Sequence, residues 1–199
     1  MASLASEVKV ANLALTGLGA DRIISLTEDS ENARRVNAIF DLYRDELLRK
    51  HLWNFALEEI DFGTKLSDEP AYGYDNFFQI PGNVIRVVQP EVKDIIFKIQ
   101  GDRVATDEST FQALCLTRVT DATKWSTDFV TVFAAKLEAE LAYPITNKRS
   151  IAADKAKVFQ DKWRSATGTD AQEGTPLEYE VDEWFVARRQ GEIAPRASG

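Results

Sequence analysis

Thirty-three consecutive residues, Ser25 to Leu57, contain neither glycine nor proline. Ala33, Val36, Phe40, Tyr43 and Leu47 recur there at helical spacing, and Ile39, Leu48 and Leu52 widen the stripe. Arg34, Arg35, Asp41, Asp45, Glu46 and Arg49 fill the opposite face. The pattern predicts one amphipathic helix of roughly 25 residues, about 38 Å long at 1.5 Å per residue. Ser25 and Glu28 have capping-box spacing, and Thr27, Asp29 and Ser30 are further N-cap candidates. A rod with one apolar face has to be covered, so the remaining sequence is constrained by what it can lay against this helix.

Three more helical stripes meet that need. Residues 3–19 place Leu4, Val8, Ala11, Leu15 and Leu18 on one face, and Gly17 and Gly19 supply a stop. The short link that follows predicts antiparallel packing of this first helix on the long one, with Ile23 and Ile24 covering the corner. From Asp128, the residues Phe129, Val132, Phe133, Leu137 and Leu141 form a third stripe, ended by Pro144. Ala152, Ala156, Phe159, Trp163 and Ala166 form a fourth, with Ser150 as candidate cap and Gly168 as stop.

Between Leu57 and Asp121 the period changes to alternation, punctuated by Gly63, Pro70, Gly73 and the Pro81-Gly82-Asn83 turn. Strands are predicted over 77–80, 84–88, 95–100, 103–105 and 113–119 of one small antiparallel sheet. Gly101-Asp102 reads as a two-residue hairpin turn. The fold class is therefore α+β, mainly α. Residues 1–57 and 122–170 form a four-helix bundle-like core, 58–121 a β-rich insertion, and 171–199 an extended C-terminal arm. Leu177, Tyr179, Val181, Trp184 and Phe185, with Arg188 beside them, make that arm a candidate docking element on a neighbouring subunit or partner.

Composition removes several functions. The net charge is −8, and between Asn54 and Asp121 twelve acids face six bases. Such a surface does not clamp a phosphate backbone by counterion release, and Lys148-Arg149 reads as an exposed turn. No run of about 18 apolar residues and no secretory-type leader is present, which predicts a protein made and folded in a cytoplasm. Cys115, flanked by Leu114 and Leu116, reads as a small buried hydrophobe.

Catalytic patterns are weak throughout. His51 has no nucleophile in a recognisable motif beside it and reads as structural, near a helix end. Glu58, Glu59 and Asp61, or Asp107 and Glu108, are carboxylate pairs of the kind a glycoside hydrolase uses, but with 32 acids such pairs arise by chance. Glu28, Asp29 and Glu31 lack metal-loop spacing and are better read as helix-capping residues. Gly17-Leu18-Gly19 lacks the lysine and preceding strand of a phosphate loop. Trp53, Phe55, Phe62, Tyr72, Tyr74, Phe77 and Phe78 read as core, with an aromatic sugar platform or a subunit contact as the alternatives.

The segments ANLALTGLGADRIISLTEDSENARRV and LYRDELLRKHLWNFA, followed by FFQIPGNVIRVV, IIFKIQGDRVATDE, FVTVFAAKLEAELAYPIT and EWFVARR, resemble the tail tubular protein A family. These are the head-to-tail adaptors of short-tailed, podovirus-type phages and related prophages. The resemblance spans nearly the whole chain and keeps the order of elements. It implies a non-enzymatic structural virion protein without cofactor or metal, at the head-tail junction of the virion and in the host cytoplasm during assembly. The implied assembly is a ring of about twelve copies between the portal protein and the tail nozzle, a tail tubular protein B-like partner. DNA would pass through its lumen without specific binding, and the C-terminal arm would reach toward the portal. Two other functions remain open from composition: a tail-associated polysaccharide hydrolase using paired carboxylates, and a phage assembly scaffold or chaperone.

Overall fold

The computed structural model of the protein describes residues 6–173. The first helix, α1 (Glu7–Gly17), starts where the Ser6 hydroxyl accepts from Lys9 N–H. It ends in a Schellman motif: Gly19 N–H donates to Thr16 O and Ala20 N–H to Leu15 O, with Gly19 at φ +69°. The link is then pinned by Asn12, whose amide both accepts from Ile23 N–H and donates to Ile23 O at 2.8 Å. Ile23 is thereby buried, whereas Ile24, expected to share the corner, stands in solvent.

The long helix, α2 (Glu31–Lys50), is 20 residues, shorter at both ends than its apolar pattern. Ser30 is the cap, accepting from Ala33 N–H. The Ser25–Glu28 spacing builds a separate turn, in which the Glu28 carboxylate accepts from Ile24 N–H and Ser25 N–H. The backbone N–H of Ile24 is the main reason its carboxyl lies below the ordinary range. At the other end His51 is extended, and Trp53 turns back so that its Nε1 donates to the Leu47 carbonyl. Burying that indole stops the helix before Leu57, because the same bond satisfies a carbonyl that the helix end leaves orphaned.

A single turn, Asn54–Ala56, leads into six strands: β1 (Leu57–Asp61), β2 (Asn76–Gln79), β3 (Val84–Pro90), β4 (Phe97–Gln100), β5 (Arg103–Thr106) and β6 (Gln112–Thr117). They form two antiparallel three-stranded sheets, ordered β1-β6-β3 and β2-β5-β4, where one sheet was expected. The Gly101-Asp102 hairpin is present, with Gln100 opposite Arg103 and Gly101 at φ +65°. β1 starts at Leu57, the last residue of the helical stretch, and otherwise lies in the insertion, where no strand was predicted before residue 77.

Alternation along β6 makes the first sheet a wall between two cores. Leu116 points into a helical core with Phe40, Trp53, Trp125, Phe129 and Phe133. Ala113 and Cys115 point the other way, into a smaller core with Phe62, Phe78, Val104 and Phe111. Burial pushes the Cys115 thiol up to about 11, consistent with its reading as a hydrophobe.

The helices α3 (Thr127–Thr146) and α4 (Arg149–Gln172) complete the core. α3 is capped by Ser126 and is central, packing on α1, α2 and most extensively on α4. α1 and α2 touch one another little, so α3 replaces the direct antiparallel pairing expected of them. Pro144 sits inside the last turn, where it forfeits one hydrogen bond, and the helix ends instead at Asn147 with φ 54°. In α4 the cap position is Lys148, Ser150 is already helical, and Gly168 lies within the helix with open space around it. The helix continues through residues 171 and 172, which were assigned to the arm.

Candidate functional site

The carboxylates singled out in sequence are dispersed. Successive residues of β1 face opposite sides, so Glu58 lines a concavity with Asn83 and Arg118, whereas Glu59 and Asp61 line another with Glu91. The second concavity, about 510 Å³, spans one end of this sheet, where the end of β1, the start of β6 and the end of β3 come together. Asp61 is already engaged, accepting from Gly63 N–H and from Gln112 Nε2. Asp107 lies beyond β5, where it accepts from Asp75 N–H. Among the described residues no group of three or more His, Cys, Asp or Glu side chains is placed to hold a metal ion. Asp29 and Glu31, read as capping residues, pair with Arg34 and Arg35.

His51 is engaged by a buried carboxylate and two indoles. Its Nε2 lies 2.9 Å from the Oδ2 of Asp170, and its ring meets Trp53 and Trp163 edge-on. Asp170 is 4% exposed and also accepts from Asn54 N–H, while Asn54 Nδ2 donates back to the Asp170 carbonyl at 2.6 Å. Four of the aromatic group divide between the two cores: Trp53 and Phe55 meet Phe129 edge-on, and Phe62 and Phe78 surround Phe111, whereas Phe77 lies under the Arg103 guanidinium. Tyr72 alone of that group is fully in solvent. Lys148 and Arg149 are exposed.

Two buried charges, Arg44 and Asp170, and the partly buried Lys136 were missed. Arg44 is 5% exposed and pairs with Asp41 and Asp45. Lys136 lies between Glu46 and Glu140, over the Tyr43 ring at 4.3 Å. The two buried ones had a signal: Arg44 is four residues from Phe40 and from Leu48, and Asp170 four from Ala166, so helical period alone puts them on buried stripes.

The surface carries exposed apolar side chains at Leu13, Ile24, Leu42, Val92, Ile96 and Ile99. Leu42 and Ile99 line connected concavities around β3. The docking residues proposed for the arm, Leu177, Tyr179, Val181, Trp184, Phe185 and Arg188, lie outside the described residues. No helix among the described residues is long and apolar enough to cross a membrane. Comparison with protein-family models finds none that matches the chain, and comparison with curated proteins likewise finds no match.

Proposed function

We propose that this protein is a structural component of a phage virion, a head-to-tail adaptor that assembles as a ring between the portal and the tail nozzle and lets DNA pass. The observation that carries the reading is the likeness of six segments, in order from residue 11 to residue 189, to the tail tubular protein A family. The architecture supports it, because that family implies helices flanking a β-rich insertion, and the chain has four helices with two small sheets between α2 and α3. Exposed apolar residues on α1, α2 and β4 supply several faces for a repeating head-to-tail contact. The net charge of −8 suits a conduit, since carboxylates along a lumen repel passing phosphates.

A ring built on a template needs only weak contacts between free subunits, because the template holds neighbours close. Light scattering on the free protein, then on a mixture with its portal ring, tests this. The expected result is a small free species and a portal that gains many copies. Trp184→Ala and Arg188→Ala are expected to reduce that gain while leaving the thermal midpoint of the free protein unchanged. Absence of association at any salt concentration overturns the reading. It would turn attention to polysaccharide turnover, for which Glu59→Gln and Asp61→Asn are the informative variants because those two acids share a concavity.

A further inference from the structure

Asp170 fixes the last turn of α4 beside Asn54 and His51, so the chain reaches residue 173 less than one turn beyond its contact with Asn54, the neighbour of Phe55 in sequence. Beginning at Phe55, three concavities follow one another with shared walls. The first, about 350 Å³, has Phe55, Asn83 and Arg118 on its walls. It shares Arg118 with the second, about 400 Å³, which lies between Leu42 of α2 and Ile85 of β3. The second shares Arg49 and Ile85 with the third, about 500 Å³, where Ile80, Val87 and Ile99 form an apolar floor. This track follows β3, an edge strand whose outer side has no partner among the described residues.

The acids along the track are mostly engaged. Asp45 holds Arg44 and Arg118, Glu46 holds Lys50 and Lys136, Asp102 accepts from Gln79, and Asp121 accepts from Thr123. Glu58 is the acid left over. Against it stand Arg49 and Arg86, both exposed and neither paired with an acid among the described residues; Arg49 donates only to the Ile85 carbonyl. The track therefore offers apolar surface and spare positive charge.

The sequence after residue 173 has the complementary pattern. Leu177, Tyr179 and Val181 alternate with Glu178, Glu180 and Asp182, and residues 177–183 carry four acids and no base. In an extended chain that alternation gives one apolar and one acidic face. Only residues 174–176 separate it from Glu173, a reach of at most about 14 Å to Leu177 and about 35 Å to Glu183.

We propose that residues 177–183 lie extended along this track of their own subunit, apolar face on Leu42, Ile85 and Ile99, acidic face toward Arg49 and Arg86. The short spacer favours the intramolecular contact by holding the segment at high effective concentration beside its own track. The inference stands without the adaptor reading. If both hold, the segment facing a portal is retained by its own subunit until a competing surface takes it.

Hydrogen exchange of the full chain, read by mass spectrometry at two protein concentrations, tests the contact. Amides of 177–183 are expected to exchange about tenfold or more slowly than those of a free peptide of that sequence, equally at both concentrations. Arg49→Glu with Arg86→Glu should return them to the free-peptide rate while α2 and α3 stay protected. So should Leu177→Ser with Tyr179→Ser and Val181→Ser, a variant that leaves both cores untouched and decides the matter if the arginine variant fails to fold. An unprotected segment in the parent chain overturns the proposal. Protection only at the higher concentration assigns the track to the tail of a second copy and overturns the intramolecular contact. Protection that survives either set of substitutions overturns the assignment of this track.

Discussion

His51 Nε2 sits 2.9 Å from the carboxylate of Asp170, 119 residues further along the chain, and the pair joins the C-terminal ends of α2 and α4. Removing the carboxylate leaves the Asn54 N–H and the His51 ring without their acceptor in a largely buried place. Asp170→Ala is expected to cost about 2–3 kcal/mol, the usual penalty for orphaned buried polar groups. For a chain of this size that corresponds to a fall of about 4–12 °C in Tm. Asp170→Asn keeps an acceptor for Asn54 and should lose less than half as much. Thermal unfolding followed by circular dichroism compares the two, and equal losses would show that a neutral acceptor does not replace the carboxylate.

Gly17, at the end of α1, is held small by a side chain on α3. A Cβ there would lie 2.7 Å from the Glu138 Cδ, and Glu138 is 13% exposed and fixed by Lys155. Alanine in place of a helical glycine ordinarily stabilises by about 0.5–1 kcal/mol. Here Gly17→Ala is expected to destabilise, whereas the same change made in a Glu138→Ala background should be neutral or favourable. Urea midpoints of the four proteins give the coupling, and additive effects would count against a clash between α1 and α3.

The helical period of the sequence located all four helices, because Phe40, Phe129 and Phe159 each sit on a stripe that has to be buried whatever covers it. The ends were not legible. Whether α2 stops at Lys50 or runs to Leu57 depends on Trp53 finding the Leu47 carbonyl, a tertiary event that local pattern does not encode. Gly168 and Pro144 read as punctuation but are tolerated inside helices, since packing of α3 against α4 outweighs the loss of a single hydrogen bond or a propensity term. The positions of β2 to β6 followed from alternation, yet β1 and the division into two sheets did not. It rests on β6 pairing with β1 and β3 rather than with β5, a long-range choice. Of the candidate sites, the fate of Glu58 and Glu59 on opposite faces was legible from strand period once β1 was known to be a strand. The His51–Asp170 pair was not, because nothing in either local sequence points to the other.

Tyr43 makes the fold sensitive to alkali. Its phenol is pushed up to about 12, first by burial and then by the Glu140 carboxylate that accepts its hydrogen bond, with Glu46 adding to the field. An unfolded chain ionises a tyrosine near pH 10. Between about pH 10 and pH 12 the unfolded state therefore releases a proton that the folded state retains, and stability falls as pH rises. Below pH 10 the phenol is neutral in both states and contributes no slope. Tyr43→Phe is expected to flatten the decline of Tm across that window and to remove a late-ionising phenol from the ultraviolet titration. An unchanged titration curve would assign the late phenol to another tyrosine.

Phe111 provides the test of whether the two cores unfold together. Its ring lies 5.0 Å from Phe62, 5.4 Å from Phe97 and 6.2 Å from Phe78, at the centre of the smaller core. Phe111→Ala opens a cavity there, with an expected loss of about 3–5 kcal/mol. The sheet β1-β6-β3 keeps its other face on the helices through Leu116, and that face is untouched by the substitution. Amides of β2, β4 and β5 are therefore expected to lose exchange protection first, while α2 and α3 retain theirs. Native-state hydrogen exchange resolves the two regions. Equal loss of protection in α3 would mean that β6 transmits the defect through the wall and that the protein unfolds as one cooperative unit.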